Sequence, residues 1–130
     1  MYKNIGGFMY KLNVTSKFSS AHQLIGYDGA CKNVHGHNWK VRVGINCEET
    51  DSIGLSIDFG IIKKHLNAVM DYLDHKFLND LDEFKNVNPT SENIANYIYN
   101  TLKPNLKTDS CSLCDIEVWE SDTSSVTYSE

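Results

Sequence analysis

The sequence predicts an α+β domain, a four-stranded antiparallel sheet with two helices on one face, and three observations predict it. Residues 10–20 and 39–45 alternate apolar with polar or small side chains, the period of two of half-buried strands. Two stretches of helical period follow, and then two shorter strand-like pieces, giving the order β-β-α-α-β-β. Strand pairs separated by paired helices build antiparallel sheets with both helices on the same side.

In the first strand Tyr10, Leu12, Val14, Ser16, Phe18 and Ser20 alternate with Lys11, Asn13, Thr15 and Lys17. His22 falls in the phase of the apolar set and emerges on that face at or just past the strand end. In the second strand Trp39, Val41, Val43 and Ile45 alternate with Asn38, Lys40, Arg42 and Gly44, and Cys47 continues the apolar phase as a small core residue. The turn-rich piece 48–54 leads through Leu55 and Ile57 to Asp58, a helix N-cap. Phe59, Ile62, Leu66, Val69, Met70 and Leu73 then recur at helical spacing, which predicts a helix over 59–73. Residues 81–87 read as a polar connection. A second helix starts at Asn88-Pro-Thr-Ser-Glu92, with Thr90 or Ser91 as its cap; Ile94, Ala95, Ile98 and Leu102 are its stripe and Pro104 its stop. Residues 115–120 and 126–128 complete the sheet. Its two open edges predict pairing with other subunits.

Composition narrows the function. The formal charge is −5, from 17 acidic against 12 basic residues, and Arg42 is the only arginine. That balance argues against a nucleic-acid surface. No apolar run has the length of a membrane span, and the N-terminus lacks a signal-peptide profile, so no membrane partner is expected. Residues 1–8 read as a short N-terminal extension and 9–130 as a single domain. Four cysteines in 130 residues do not compel a disulfide framework, and Cys111-x-x-Cys114 precedes a strand rather than opening a helix. A reducing cytoplasmic compartment is the default expectation.

The chemistry concentrates in Cys31-x-x-x-His35-Gly-His37. His35 and His37 share the phase of Trp39, so a strand reaching back to them projects both rings from one face. An antiparallel partner joined through the loop 23–34 brings His22 beside them. Three neutral imidazoles with a vacant fourth position describe a catalytic zinc site. Cys31, beside a cation and an imidazole, is either a proton-moving thiol or an inert buried cysteine. Asp74-His75 after the first helix is either an oriented acid–base pair or a helix end whose cationic His favours the dipole. Glu120 shares the phase of Ile116 and Val118; it is either a partly exposed strand-end residue or a carboxylate that accepts two N–H groups of a planar heterocycle.

Taken together, Phe18-Ser-Ser-Ala-His22, Cys31-x-x-x-His35-Gly-His37-Asn38, Gly54-x-x-x-Asp58-Phe59, Leu73-Asp74-His75-x-x-Leu78-Asn79, Asn88-Pro-Thr-Ser-Glu-Asn93 and Glu120 with Tyr128 resemble the family of 6-pyruvoyl- and 6-carboxytetrahydropterin synthases. The resemblance spans about residues 10–128. It implies the T-fold, and homohexamers of two stacked trimers with active sites between subunits. It also implies Zn2+ on His22, His35 and His37, Cys31 as catalytic proton acceptor, and Asp74 and His75 as its relay. Glu120 is then the pterin anchor, with Thr90 and Ser91 beside the pterin. The implied substrate is 7,8-dihydroneopterin triphosphate. The three residues between Cys31 and His35 resemble the carboxytetrahydropterin synthases of the queuosine pathway, whereas His37-Asn38 followed by an aromatic resembles the pyruvoyl branch.

Overall fold

The computed structural model describes residues 9–26, 29 and 32–130. The 1–8 extension and Cys31 therefore lie outside the described residues. The elements are β1 (Tyr10–His22), β2 (His35–Cys47), α1 (Phe59–Leu73), α2 (Ser91–Leu102), β3 (Cys111–Ser121) and β4 (Ser124–Ser129). They form one antiparallel sheet in the order β1-β2-β3-β4. The order and topology agree with the sequence prediction.

Alternation decides what each strand buries. Trp39, Val41, Val43, Ile45 and Cys47 of β2 are buried, as are Val14 and Phe18 of β1 and Ile116 and Val118 of β3. Ile62, Leu66, Val69, Met70 and Leu73 of α1, and Ile94, Ala95, Ile98, Tyr99 and Leu102 of α2, join them in one core. Asp58 caps α1 by accepting from Gly60 N (2.8 Å), and Thr90 caps α2 by accepting from Asn93 N (3.1 Å). The stretch 81–87 read as polar holds a 3-10 turn, Asp82–Phe84, a second one, Leu78–Asp80, precedes it, and Leu78 and Phe84 enter the core.

Two irregularities in β3 re-aim its side chains. Gly44 pairs with Asp115 but Ile45 with Leu113, so Cys114 is extra. This bulge changes the phase, letting both Leu113 and Ile116 face the core. A second shift, between Trp119 and Ser121, falls at Glu120. Cys47 is buried as expected, yet it is bonded to Cys111, its register partner across β2 and β3. Cys111 therefore pairs with Cys47 and not with Cys114.

The chain after α1 folds back on the end of β1. His75 N donates to Ser19 O (2.6 Å) and Ala21 N to Lys76 O (3.0 Å), while Ser20 Oγ donates to Leu73 O. This segment covers the free edge of β1 beside His22.

Candidate metal centre

The register that seats Phe18 opposite Trp39 also seats Ser20 opposite His37 and His22 opposite His35. Three imidazoles therefore meet at one corner of the core face. Their ring centroids lie 4.5 Å (His22–His35), 4.8 Å (His35–His37) and 5.1 Å (His22–His37) apart. Trp39 forms the floor, 5.0 Å from His22 and 5.1 Å from His37, and its Nε1 donates to Ser20 O at 3.2 Å.

Glu120 completes the cluster. Its Oε1 is 2.9 Å from His37 Nε2 and 3.9 Å from His22 Nε2, and its Oε2 accepts from Ser91 Oγ at 3.3 Å. One ligand atom from each of His22, His35, His37 and Glu120 fits within a mutual 4.8 Å. The sequence reading has Glu120 facing inward to hold a heterocycle; its carboxylate also approaches the imidazoles.

The outer contacts fix the rings. His22 Nδ1 is 2.7 Å from Pro89 O, and His35 Nδ1 is 2.7 Å from Asn33 O. A carbonyl only accepts, so each Nδ1 carries a proton, and Nε2 is the nitrogen that holds the lone pair of a neutral ring. Among the described residues, the buried Nε2 of His22 has no hydrogen-bond partner, and the buried Nε2 of His37 faces only the Glu120 carboxylate, at 2.9 Å. Burial pushes the His22 pKa down; the Pro89 carbonyl opposes this and the neighbouring imidazoles add to it. Burial also lowers the His37 pKa, in spite of Glu120. Ring nitrogens that converge beside a carboxylate, with the His22 Nε2 buried and unpartnered, are a donor set that a metal ion satisfies, so the residues present fit one.

The other predicted residues divide. Asp74 and His75 form the expected pair, His75 Nδ1 to Asp74 Oδ2 at 2.8 Å, and Asp74 Oδ1 accepts from Ser19 N at 2.7 Å. The Ser19 N–H first, and then His75, hold the Asp74 carboxyl below its ordinary range. His75 adopts φ +53°, a left-handed conformation uncommon for a non-glycine residue. The pair opens into a recess of about 390 Å³ with Lys17, Ser19 and Asn38, whose phase directs them to the sheet face opposite the imidazoles. Within one chain the pair and the cluster are thus not brought together. Ser91 joins the cluster through Glu120, whereas the Thr90 hydroxyl is engaged as the cap. The Pro89 and Asn33 carbonyls escape sequence reasoning, because a backbone acceptor has no residue signature.

The model of the 6-pyruvoyl tetrahydropterin synthase family matches residues 11–130. The chain is 31% identical to 6-carboxy-5,6,7,8-tetrahydropterin synthase of Haemophilus influenzae, over 94% of this chain and 100% of the relative. It is 36% identical to human 6-pyruvoyl tetrahydrobiopterin synthase, over 87% and 79% respectively. The structure of Caenorhabditis elegans 6-pyruvoyl tetrahydropterin synthase superposes with a TM-score of 0.85 at 28% identity, covering 100% of this chain and 99% of that one. The chain belongs to the 6-pyruvoyl tetrahydropterin synthase family, and its fold is that family's T-fold.

Proposed function

We propose that this pterin synthase is a zinc-dependent lyase that converts 7,8-dihydroneopterin triphosphate to 6-carboxy-5,6,7,8-tetrahydropterin, releasing triphosphate and acetaldehyde, within queuosine (7-deazaguanine) biosynthesis. The observation that carries the enzymatic reading is the convergence of His22, His35, His37 and Glu120 in a chain of this family. The three-residue spacing from Cys31 to His35 supports the carboxy branch.

Zinc on the three imidazoles would supply Lewis acidity toward the substrate's side-chain hydroxyls. His22 and His35, tied at Nδ1, would present Nε2 toward it, with His37 beside them. Glu120, steadied by Ser91, would accept the paired N–H donors of the pterin ring. Thr90, which precedes Ser91 in the chain, would border the ring. Cys31 would move protons at the side-chain carbon adjoining the ring.

His75, oriented by Asp74, would tune that thiol. The pair sits at the β1 edge, in a recess apart from the imidazoles of its own chain, so in this reading it serves the site of a neighbouring subunit. That arrangement accords with a homohexamer holding its sites between subunits. No helix among the described residues is long and apolar enough to cross a membrane. We place the reaction in the cytoplasm, although a Cys47–Cys111 bridge is of a kind more frequent outside reducing compartments.

A second reading, 6-pyruvoyltetrahydropterin synthesis without carbon–carbon cleavage, is favoured by His37-Asn38-Trp39 and by the 36% identity to the human enzyme. Incubation of zinc-loaded protein with 7,8-dihydroneopterin triphosphate, followed by mass analysis, tests both. The expected products are the 6-carboxy pterin, acetaldehyde and triphosphate. A 6-pyruvoyl product would overturn the branch. Absence of triphosphate release would leave a non-catalytic zinc- or pterin-binding protein.

A further inference from the structure

Sheet pairing stops at His22 opposite His35, and the next residues, Gln23 to Ile25, lie outside the named strands. Their backbone is nevertheless paired. Asn79 Oδ1 accepts from Gln23 N (3.0 Å) and Asn79 Nδ2 donates to Gln23 O (2.9 Å). Asn88 repeats the pattern two residues on, its Oδ1 accepting from Ile25 N (2.8 Å) and its Nδ2 donating to Ile25 O (2.8 Å). A carboxamide has one acceptor and one donor side, so each of these side chains imitates the edge of an adjacent strand.

Both asparagines belong to segments that also hold the metal corner. Asn79 sits just beyond Lys76 and Phe77, which pair with Ala21 on the other side of His22. Asn88 adjoins Pro89, whose carbonyl takes the His22 Nδ1 proton at 2.7 Å. The Asn88 carbonyl is in turn fixed by Thr90 N and Asn93 Nδ2, both at 2.8 Å. His22 is therefore clamped by backbone before it, by backbone after it and through its ring, and the two amides close the clamp.

We propose that Asn79 and Asn88 are positioning residues for the metal site: they hold the chain that leaves His22, at Gln23 and Ile25, so that the His22 Nε2 meets those of His35 and His37. This rests on the metal-binding reading above. Neither amide touches the cluster atoms; each acts through the backbone at His22 and, for Asn88, through the Pro89 carbonyl. Loss of an outer-shell partner of a metal-bound histidine costs about 10–100-fold in metal affinity.

The test is zinc titration against a chelating indicator, with the visible absorption spectrum of the cobalt(II)-substituted protein and the melting temperature of the metal-free protein measured alongside. Asn88→Ala and Asn79→Ala are compared with wild type and with Asn96→Ala, an exposed position on α2. Zinc affinity is expected to fall about 10–100-fold in both clamp variants, more in Asn88→Ala, with an altered cobalt spectrum and a metal-free fold melting close to wild type. Asn88→Asp, which keeps the acceptor and the shape but loses the donor, is expected to weaken zinc as well, and it decides the matter if the alanine variant does not fold. Wild-type affinity and cobalt spectrum in the clamp variants would overturn the proposal. So would a lowered metal-free melting temperature with an unchanged cobalt spectrum, since the amides would then only support the fold. Failure of the wild type itself to bind zinc would instead bring down the metal reading.

Discussion

At the scale of single residues, the proposed function assigns metal holding to His22, His35 and His37 and proton movement to Cys31. Cys31 is expected to belong to the second role: Cys31→Ala should retain zinc while losing about two to four powers of ten in rate, measured as zinc content and product formation on one preparation. Near-normal turnover would make the thiol a packing residue, and loss of zinc would make it a ligand. The double variant His35→Ala/His37→Ala is expected to lose zinc, because it removes two of the three convergent imidazoles. Titration offers a third check. Burial holds His22 and His37 below their ordinary value of 6.5. As pH falls through that value the unfolded chain takes up these protons first, so stability present above about pH 6.5 drains away below it until the folded imidazoles also protonate. The melting temperature of metal-free protein should therefore decline from about pH 7 to about pH 5, and less steeply in His37→Gln. A profile of equal slope in the variant would remove His37 from this linkage.

At the scale of elements, β2 carries two faces with opposite requirements. From Trp39 to Cys47 its core face is apolar, whereas on its other face Arg42 bridges Asp115 (3.0 Å) and Glu117 (3.2 Å), and Lys11 of β1 meets Asp115 at 2.7 Å. Gly44 lies against this network: a Cβ there would come within 3.0 Å of Asp115 Oδ1, Arg42 Nη1 and Lys11 Cε. Gly44→Ala is expected to displace these charges and to destabilise the fold by about 1–3 kcal/mol, read from the urea midpoint. An unchanged midpoint would show that the side chains yield freely. The periodicity of β2 was legible in the sequence; the close approach at Gly44 was not, because its partners come from residues 11 and 115.

At the scale of the whole molecule, the sheet ends in β1 and β4, and most of each outer edge is left open. Met9, Tyr10, Leu55 and Phe59 are exposed around a recess of about 550 Å³ at the start of β1. Open edges and apolar residues beside one of them fit association with further copies, and under the proposed function the Asp74–His75 pair would serve the site of a neighbouring copy. Light scattering is expected to report a hexamer whose dissociation abolishes turnover. A stable, active monomer at micromolar concentration would contradict both the assembly and the shared site.

The sequence by itself determined the element order, the buried stripes and the phase that turns His22, His35 and His37 to one face. Those features follow from local periodicity and spacing, which every short window of chain carries. The tertiary structure alone decided that Cys47 bonds Cys111 rather than remaining a separate core thiol, that Glu120 leans onto the imidazoles from a bulge, and that Asp74–His75 sits at the β1 edge in a recess of its own. It also decided that Asn79 and Asn88 extend the pairing beyond His22. Each of these depends on which backbone groups meet across tens of residues, and a backbone N–H or C=O looks the same at every position of a sequence.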